Sequence, residues 1–204
     1  MKFSDFQSIE QVLAKYPLNI RQERFLPEVR VEPSSLFLEN LSFSLDMKAV
    51  DESETFFSES FIFPFLQQAW KRHRRLKLWS HKALALDGEL IGEPDYLISA
   101  QIEGVIDRLI NKPLLAVTEA KKEDFTKGWA QCLAEMIACQ RINQNEDIVI
   151  YGIVSTGIFW EFGKLAGNVF TKHTSAYSIS EPEKVLGLLD FIFSECEKQI
   201  ERNE

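Results

Sequence analysis

The chain has 204 residues, 45% hydrophobic and 12% aromatic, so it is long and apolar enough to fold around a sizeable core. This composition excludes disorder over most of its length. The formal net charge of −8 provides no overall basic field for holding a polyanion. That balance argues against a coat protein or a histone-like binder, but not against an enzyme that meets nucleic acid through a local basic patch.

We expect the first fifty residues to form an N-terminal accessory segment and residues 51–204 to form the main domain. A helix is expected over 5–16, where apolar residues recur at helical spacing before Pro17. The stretch 34–45 alternates loosely between apolar and polar residues, which predicts a strand or an extended arm.

The main domain is expected to begin with a helix over 51–75, because its acidic start and basic end suit the helix dipole. Pro64 lies inside this helix and predicts a kink or a restart. The alternating stretch 76–86 predicts a strand, and 87–89 a turn.

The rest of the chain predicts strands that alternate with helices. In order, these are a strand at 94–100, a hairpin-like excursion around 101–113, a buried strand at 114–120, a helix from about 124 to 141, a buried strand at 147–156, two antiparallel strands over 157–179 and a closing helix from Pro182. The order of elements predicts an α/β domain built around a mixed sheet.

Charged residues end the apolar strand at 114–120, where an unpaired buried charge is costly. Glu119 and Lys121 lie two residues apart and so point to the same side of the strand. Asp95 opens the preceding strand, and the three groups converge if those two strands are neighbours. Two carboxylates suit Mg²⁺, and an ammonium can neutralise charge that develops on a phosphate. The pattern predicts a phosphodiester-cleaving site, with a solvated strand end and a surface ion pair as the alternative.

Pro94-Asp95 followed by the Glu119–Lys121 triplet resembles the motif of the PD-(D/E)xK nuclease superfamily. The helix–strand–strand–strand–helix–strand order over about 52–156 resembles the core of that family. The resemblance implies a restriction-endonuclease-like fold, in which a mixed β-sheet is flanked by helices, with the N-terminal extension outside it.

Two further positions carry the resemblance. Glu59, five residues before Pro64, resembles the family's acidic residue on the helix that precedes the sheet. Gln131 lies on the following helix, where many members have a functional glutamine. The family's common Gln-x-x-x-Tyr form is broken here, because Glu135 stands where the tyrosine would be.

The resemblance implies the roles of these residues. Asp95 and Glu119 would bind Mg²⁺, for which Mn²⁺ can substitute, and Lys121 would activate or position the attacking water. Glu59 would hold a metal-bound water or a second ion; the alternative is an ordinary acid in the first half of a helix. Gln131 completes the candidate catalytic set.

The strongest basic cluster of the chain lies at 71–82. Four cationic side chains in it, those of Arg72, Arg74, Arg75 and Lys77, could bind phosphates, with Trp79 as a stacking platform for a base. The alternative is a helix C-terminus that balances its own dipole and the many acids elsewhere.

The three cysteines, Cys132, Cys139 and Cys196, have no metal-finger spacing and fit free thiols in a reducing compartment. No secretory signal and no membrane-spanning run is found, so we expect a cytoplasmic protein without a membrane partner.

The sequence therefore predicts a Mg²⁺-dependent nuclease, an endonuclease acting on nucleic acid, with DNA favoured over RNA. The alternative is a catalytically silent nuclease-fold subunit that binds or regulates in a restriction or mobile-element system. A homodimer would suit double-strand cleavage, although no residue pattern shows one.

Overall fold

The protein is represented by a computed structural model, which describes residues 2–86, 90–101, 110–122 and 124–203. Within these ranges, one large mixed sheet lies between two helical layers. The predicted α/β class and mixed sheet are confirmed.

Ten strands are found in the described part of the chain. They are β1 (Asn19–Glu23), β2 (Leu76–Ser80), β3 (Leu84–Leu86), β4 (Leu90–Gly92), β5 (Tyr96–Ala100), β6 (Leu114–Ala120), β7 (Ile150–Ser155), β8 (Phe159–Ala166), β9 (Val169–His173) and β10 (Tyr177–Ser178). The main sheet has the order β1-β9-β8-β7-β6-β5-β2, and β10 pairs with β8. The pairs β1/β9 and β6/β7 are parallel, and the other neighbours are antiparallel. Strands β3 and β4 form a separate antiparallel pair.

The helices surround this sheet. They are α1 (Ile9–Lys15), α2 (Ser35–Met47), α3 (Glu54–Phe57), α4 (Phe63–Trp70), α5 (Phe125–Asn143) and α6 (Pro182–Asn203), with a 3₁₀ turn at Phe3–Asp5 and a π-helical segment at Ser58–Ile62. Helix α5 packs on β6 and β7, while α4 and α6 pack together beside β2. The 3₁₀ turn, α1 and the β3–β4 pair cover the outer side of α5.

The strands at the centre of the sheet are shielded from solvent. All seven residues of β6 and all six of β7 are buried, as predicted for strands covered on both faces. Helix α5 lies very close to β7 at Gly152, where a Cβ would come within 2.5 Å of the Met136 sulfur. A larger residue at Gly152 would therefore push α5 away from the sheet.

The stretch 34–45 is a helix, so the predicted strand or arm is wrong. The Ser34 hydroxyl accepts a hydrogen bond from the Phe37 N–H and caps α2. Phe37 and Leu41, one helical turn apart, are the buried residues of α2, whereas Leu36 and Phe43 are exposed. With the exposed apolar residues included, the sequence pattern resembles that of a strand, and the helical spacing of the buried pair is not apparent.

The strand predicted over 76–86 ends at Ser80. His81 has a φ of 47°, a left-handed conformation that turns the chain out of the sheet, and β3 pairs with β4 instead. The turn predicted at 87–89 lies outside the described residues, as does most of the excursion predicted around 101–113.

The helix predicted over 51–75 is helical from Glu54 to Trp70, and residues 71–75 form turns. The restart predicted at Pro64 takes the form of the π-helical segment, in which the Phe63 N–H donates to the Ser58 carbonyl five residues back. Helix α4 then begins at Phe63, with proline in its first turn, where the missing N–H is tolerated.

The N-terminal residues pack against the rest of the molecule. Strand β1 pairs with β9 at the edge of the main sheet. The Val31 N–H donates to the Glu183 carbonyl at 2.9 Å, and a Cβ on Gly187 would lie 2.5 Å from the Val29 carbonyl oxygen. The segment around Val29 therefore lies directly on the first half of α6.

Among the described residues, the helices are too short or too polar to cross a lipid bilayer.

Replacing Gly187 with alanine should lower the free energy of unfolding by about 1–3 kcal/mol, because the added methyl must displace the Val29 backbone. Urea unfolding measures this change. Ser194→Ala, on the same helix, is the control and should change stability by less than about 0.5 kcal/mol. Equal stability of the two variants would show that α6 and the Val29 segment are not in tight contact.

Candidate active site

The pairing of β5 with β6 brings the predicted acids together. Tyr96 pairs with Thr118 in the antiparallel register, so Asp95, one residue earlier, comes opposite Glu119. One Asp95 carboxylate oxygen accepts a hydrogen bond from the Ala120 N–H at 2.7 Å. The two strands are neighbours, which is the condition that the sequence argument required.

Lys121 lies beside these acids. Its Nζ is 2.7 Å from a Glu119 carboxylate oxygen, so the two side chains share a side as the strand period predicts. The same Nζ lies 3.7 Å from a carboxylate oxygen of Glu54. The other Glu54 oxygen accepts from the Lys122 N–H at 3.2 Å. Glu54 therefore holds the end of β6 and belongs to the site, although no feature of the sequence pointed to it.

Asp95 opens onto a cleft of about 310 Å³ between the helical segment 54–63 and the ends of the strands. Glu54, Ser58 and Glu59 line the cleft from the helix side, and His81 and Tyr96 from the sheet side. The π-helical segment thus delivers Glu59 to the same cleft as Asp95. The Tyr96 hydroxyl lies 2.8 Å from the Ser58 hydroxyl, which ties the helix to β5.

Burial governs the protonation of the acids. It raises the pKa of Glu119 to about 7, and the Asp95 carboxylate adds to the rise. Burial also raises the pKa of Asp95, against the opposing Ala120 N–H and Lys121 ammonium. Burial alone would lower the pKa of Lys121, but the carboxylates of Glu119, Glu54 and Asp95 together outweigh burial, and the pKa is raised. Asp95 therefore lines the cleft next to the buried Glu119, with which it shares a repulsion, and Lys121 is held in its protonated form beside Glu119.

Glu135 extends this group of acids on the side of α5. It is 1% exposed, and burial, followed by the neighbouring Glu119 carboxylate, raises its pKa well above the ordinary range. A side-chain hydrogen bond joins Glu135 to Glu119, with the proton on Glu135. Gln131, one turn earlier on α5, is also buried. Glu135 was noticed in the sequence only as a departure from a motif; its contact with Glu119 depends on how α5 packs on β6.

The basic cluster divides into two parts. Arg72 forms an ion pair with Asp190 at 3.0 Å, and Arg75 with Glu201 at 3.1 Å, so both are engaged by acids of α6. Lys77 and Trp79 lie instead on the edge strand β2, where the lysine Nζ is 5.5 Å from the Trp79 ring centroid. Arg74 is exposed beside them. The structure thus separates the predicted nucleic-acid residues into two that are engaged by α6 and three that are not, namely the half-buried Lys77 and Trp79 and the exposed Arg74.

The carboxylates of the site are suitable ligands for a divalent cation. In the described part of the chain, no cluster of three or more His, Cys, Asp or Glu side chains has the arrangement of a metal site. Mg²⁺, however, needs only one or two protein carboxylates, and waters and substrate phosphate complete its shell. Asp95 and Glu119 are such a pair. Burial raises the pKa of Glu119 most, and the repulsion from Asp95 that adds to the rise is what a bound cation would relieve.

In metal-free solution, the stability of the protein should fall as pH rises from about 4.5 to 7. The folded protein keeps a proton on Glu119 in this range, whereas the unfolded chain, with the ordinary pKa of 4.5, has lost it. The loss from this group alone is about 3 kcal/mol when complete. Glu119→Gln should remove the share of this pH dependence that Glu119 contributes, while Glu135 and Asp95, whose pKa values are also raised, keep the rest.

Urea unfolding in EDTA at a series of pH values measures the effect. Glu39→Gln, which replaces an exposed acid on α2, should behave as the unsubstituted protein. A Glu119→Gln variant with an unchanged slope would contradict the raised pKa.

Comparison with known proteins adds no relative: no known family matches the chain, and no curated protein matches its sequence. The geometry of the cleft is therefore what carries a functional assignment.

Proposed function

We propose that the protein is a metal-dependent phosphodiesterase that acts on nucleic acid, a PD-(D/E)xK-type nuclease cutting as an endonuclease. The observation that carries this proposal is the placement of Asp95, which lines a cleft, opposite Glu119, with the Lys121 Nζ 2.7 Å from Glu119. Two carboxylates and one ammonium at a single point suit a reaction in which negative charge builds up on phosphorus-bound oxygens.

The topology supports the proposal. The helix 54–70 is followed by β2, β5 and β6, then by α5 and β7, and these strands are neighbours in the order β2-β5-β6-β7. This order supports the helix–strand–strand–strand–helix–strand core that the sequence resemblance implies. The separate β3–β4 pair is an insertion between β2 and β5.

Each side chain has a distinct task in the proposed reaction. Mg²⁺, when bound at Asp95 and Glu119, would supply Lewis-acid stabilisation of the phosphate. Lys121 places a positive charge beside that position and can orient the attacking water. Glu59 is exposed in the cleft, where its carboxylate can accept a hydrogen bond from water. Hydrolysis joins the water oxygen to phosphorus and breaks the bond between phosphorus and the leaving oxygen. The attacking water gives up a proton to solvent, and the leaving oxygen takes one from solvent.

The edge strand β2 supports contact with a nucleic acid strand. Lys77 and Lys82 both lie near the face of the Trp79 ring, at 5.5 and 5.1 Å from its centroid. Aromatic rings with flanking cations hold single strands by stacking and by phosphate contact. Arg74 extends this positive edge, whereas Arg72 and Arg75 serve to hold α6. A local patch of this kind would allow an acidic protein to hold a polyanion.

Replacing Lys121 with alanine should lower cleavage about a hundredfold or more, because the ammonium beside the reacting phosphate is lost. Labelled single-stranded DNA, duplex DNA and RNA are incubated with the protein in Mg²⁺, Mn²⁺ or EDTA. Lys122→Ala removes the adjacent lysine and is the matched control, which should cleave normally. Cleavage that persists in EDTA, or that Lys121→Ala retains in full, would contradict the proposed site.

Replacing Asp95 with asparagine should abolish the stabilisation that Mn²⁺ gives the protein. A ligand at a hundred times its dissociation constant stabilises by about 2.7 kcal/mol, which a thermal shift detects. Asp46→Asn, an exposed acid on α2, should leave the shift intact. No stabilisation of the unsubstituted protein, together with no cleavage, would favour the silent binding or regulatory subunit.

A further inference from the structure

The main sheet ends in two edge strands, β1 and β2, whose outer edges differ. At β2, the Leu76 N–H donates to the His73 carbonyl at 3.3 Å, and the Trp70 indole N–H donates to the Leu76 carbonyl at 2.6 Å. The chain itself therefore satisfies part of the outer edge of β2. At β1, by contrast, all five residues and the following Arg24 are exposed. Strand β1 is thus the edge that is open to another strand.

The pairing of β1 with β9 determines which backbone groups face outward. The Asn19 N–H donates to the Asn168 carbonyl at 2.8 Å, so Asn19 and every second residue after it bond to β9. The N–H and C=O groups of Ile20 and Gln22 point away from the sheet. In the described part of the chain, no hydrogen bond reaches these outward groups. A row of free donors and acceptors is a template for pairing with a further strand.

Two side chains of β1 have opposite charges and lie two residues apart. Arg21 and Glu23 share one face of the strand, and both are exposed. Neither forms an ion pair with another of the described residues. An antiparallel strand with the opposite order of charges would neutralise both, and a second copy of β1 is such a strand because antiparallel pairing reverses its direction.

The charges also select the register of such a pair. When the two-fold axis passes through Gln22, Arg21 of each copy lies opposite Glu23 of the other. These are non-hydrogen-bonded pairs, in which opposite side chains lie closest and opposite charges attract. The outward backbone groups would also allow an axis at Arg21, but that register sets the two Arg21 side chains against each other.

The register centred on Gln22 uses the other exposed groups as well. The outward N–H and C=O of Gln22 bond with those of Gln22 in the second copy, and those of Ile20 meet the backbone of Arg24. The Ile20 side chain, which is 49% exposed, then lies beside the aliphatic stem of Arg24. The pair therefore covers an exposed apolar side chain and satisfies the free backbone groups of the edge together.

We propose that β1 is a dimerisation strand, through which two copies of the chain pair antiparallel with Arg21 of each opposite Glu23 of the other. The two main sheets then form one continuous sheet across the two-fold axis. The occupant of this edge is a second copy because the charges of β1 are complementary to themselves in this register. The proposal does not depend on the nuclease function.

Sedimentation of the full-length protein over a range of micromolar concentrations tests the proposal, in EDTA and without nucleic acid. We expect a monomer–dimer equilibrium. Arg21→Glu sets two acids opposite each other in both pairs and should raise the dissociation constant of the dimer about tenfold or more. The double variant Arg21→Glu/Glu23→Arg exchanges the two charges and should restore the dimer of the unsubstituted protein.

Two further variants separate the interface from general effects. Gln22→Pro removes the outward N–H at the two-fold axis without removing a hydrogen bond to β9, and should give a monomer with an unchanged circular dichroism spectrum. Arg202→Glu makes the same charge reversal at an exposed residue of α6 and should leave the dimer intact. Its neighbour Glu201 pairs with Arg75 next to β2, at the opposite edge of the sheet.

Three results would overturn the proposal. The unsubstituted protein could remain a monomer at every concentration. A dimer that both Arg21→Glu and Gln22→Pro leave intact would be held by another surface. A dimer that Arg21→Glu weakens but the double variant does not restore would exclude the register in which Arg21 meets Glu23.

Discussion

The antiparallel pairing of β5 with β6 is the constraint on which the site depends. It sets Asp95 opposite Glu119 and lets the Ala120 N–H hold one oxygen of Asp95. Carboxylates in such surroundings repel one another and lose hydration, so their arrangement is unfavourable by itself. Lys121 offsets part of this cost, and the rigid backbone hydrogen bonds of the sheet keep the acids from moving apart. The proposed cation site would thus be prepared by strand register.

The burial of polar residues on α5 depends on the layer of segments that covers this helix. A helix that packs on the centre of a sheet normally leaves one side to solvent. Here the 3₁₀ turn, α1 and the β3–β4 pair enclose it, so Glu135 and Gln131 are buried although they are polar. The β3–β4 pair and the N-terminal segment therefore have a common effect, which is to exclude water from α5 around Gln131 and Glu135.

The sequence was informative where one physical signal dominated. Strands β6 and β7 were predictable because an unbroken apolar run fits a doubly covered strand, and the spacing of Glu119 and Lys121 predicted that they share a side. Helix α2 was mistaken because its apolar residues are not confined to its buried side. The strand predicted over 76–86 is too long because the apolar–polar alternation of the sequence continues past His81, where the backbone turns.

What the sequence could not provide was tertiary proximity. Glu54 reaches Lys121 only because the helix 54–70 lies across the strand ends, and Glu135 reaches Glu119 only through the packing of α5. The engagement of Arg72 by Asp190 likewise needs α6 to lie beside the basic cluster. A local sequence pattern cannot predict such pairs, because their two members are far apart in the sequence.

Because of the π-helical segment, the positions of the acids in the cleft depend on the number of residues in the helix 54–70. Residues five apart on a regular α-helix lie about 140° from one another around its axis, yet Glu54 and Glu59 line the same cleft. The wider turn over Ser58–Ile62 reconciles these positions with the burial of Phe61 and Ile62 on the other side. Deleting a single residue there would rotate either the acids or the core side chains out of place. The number of residues in this helix is therefore constrained as tightly as the identity of the acids that it places in the cleft.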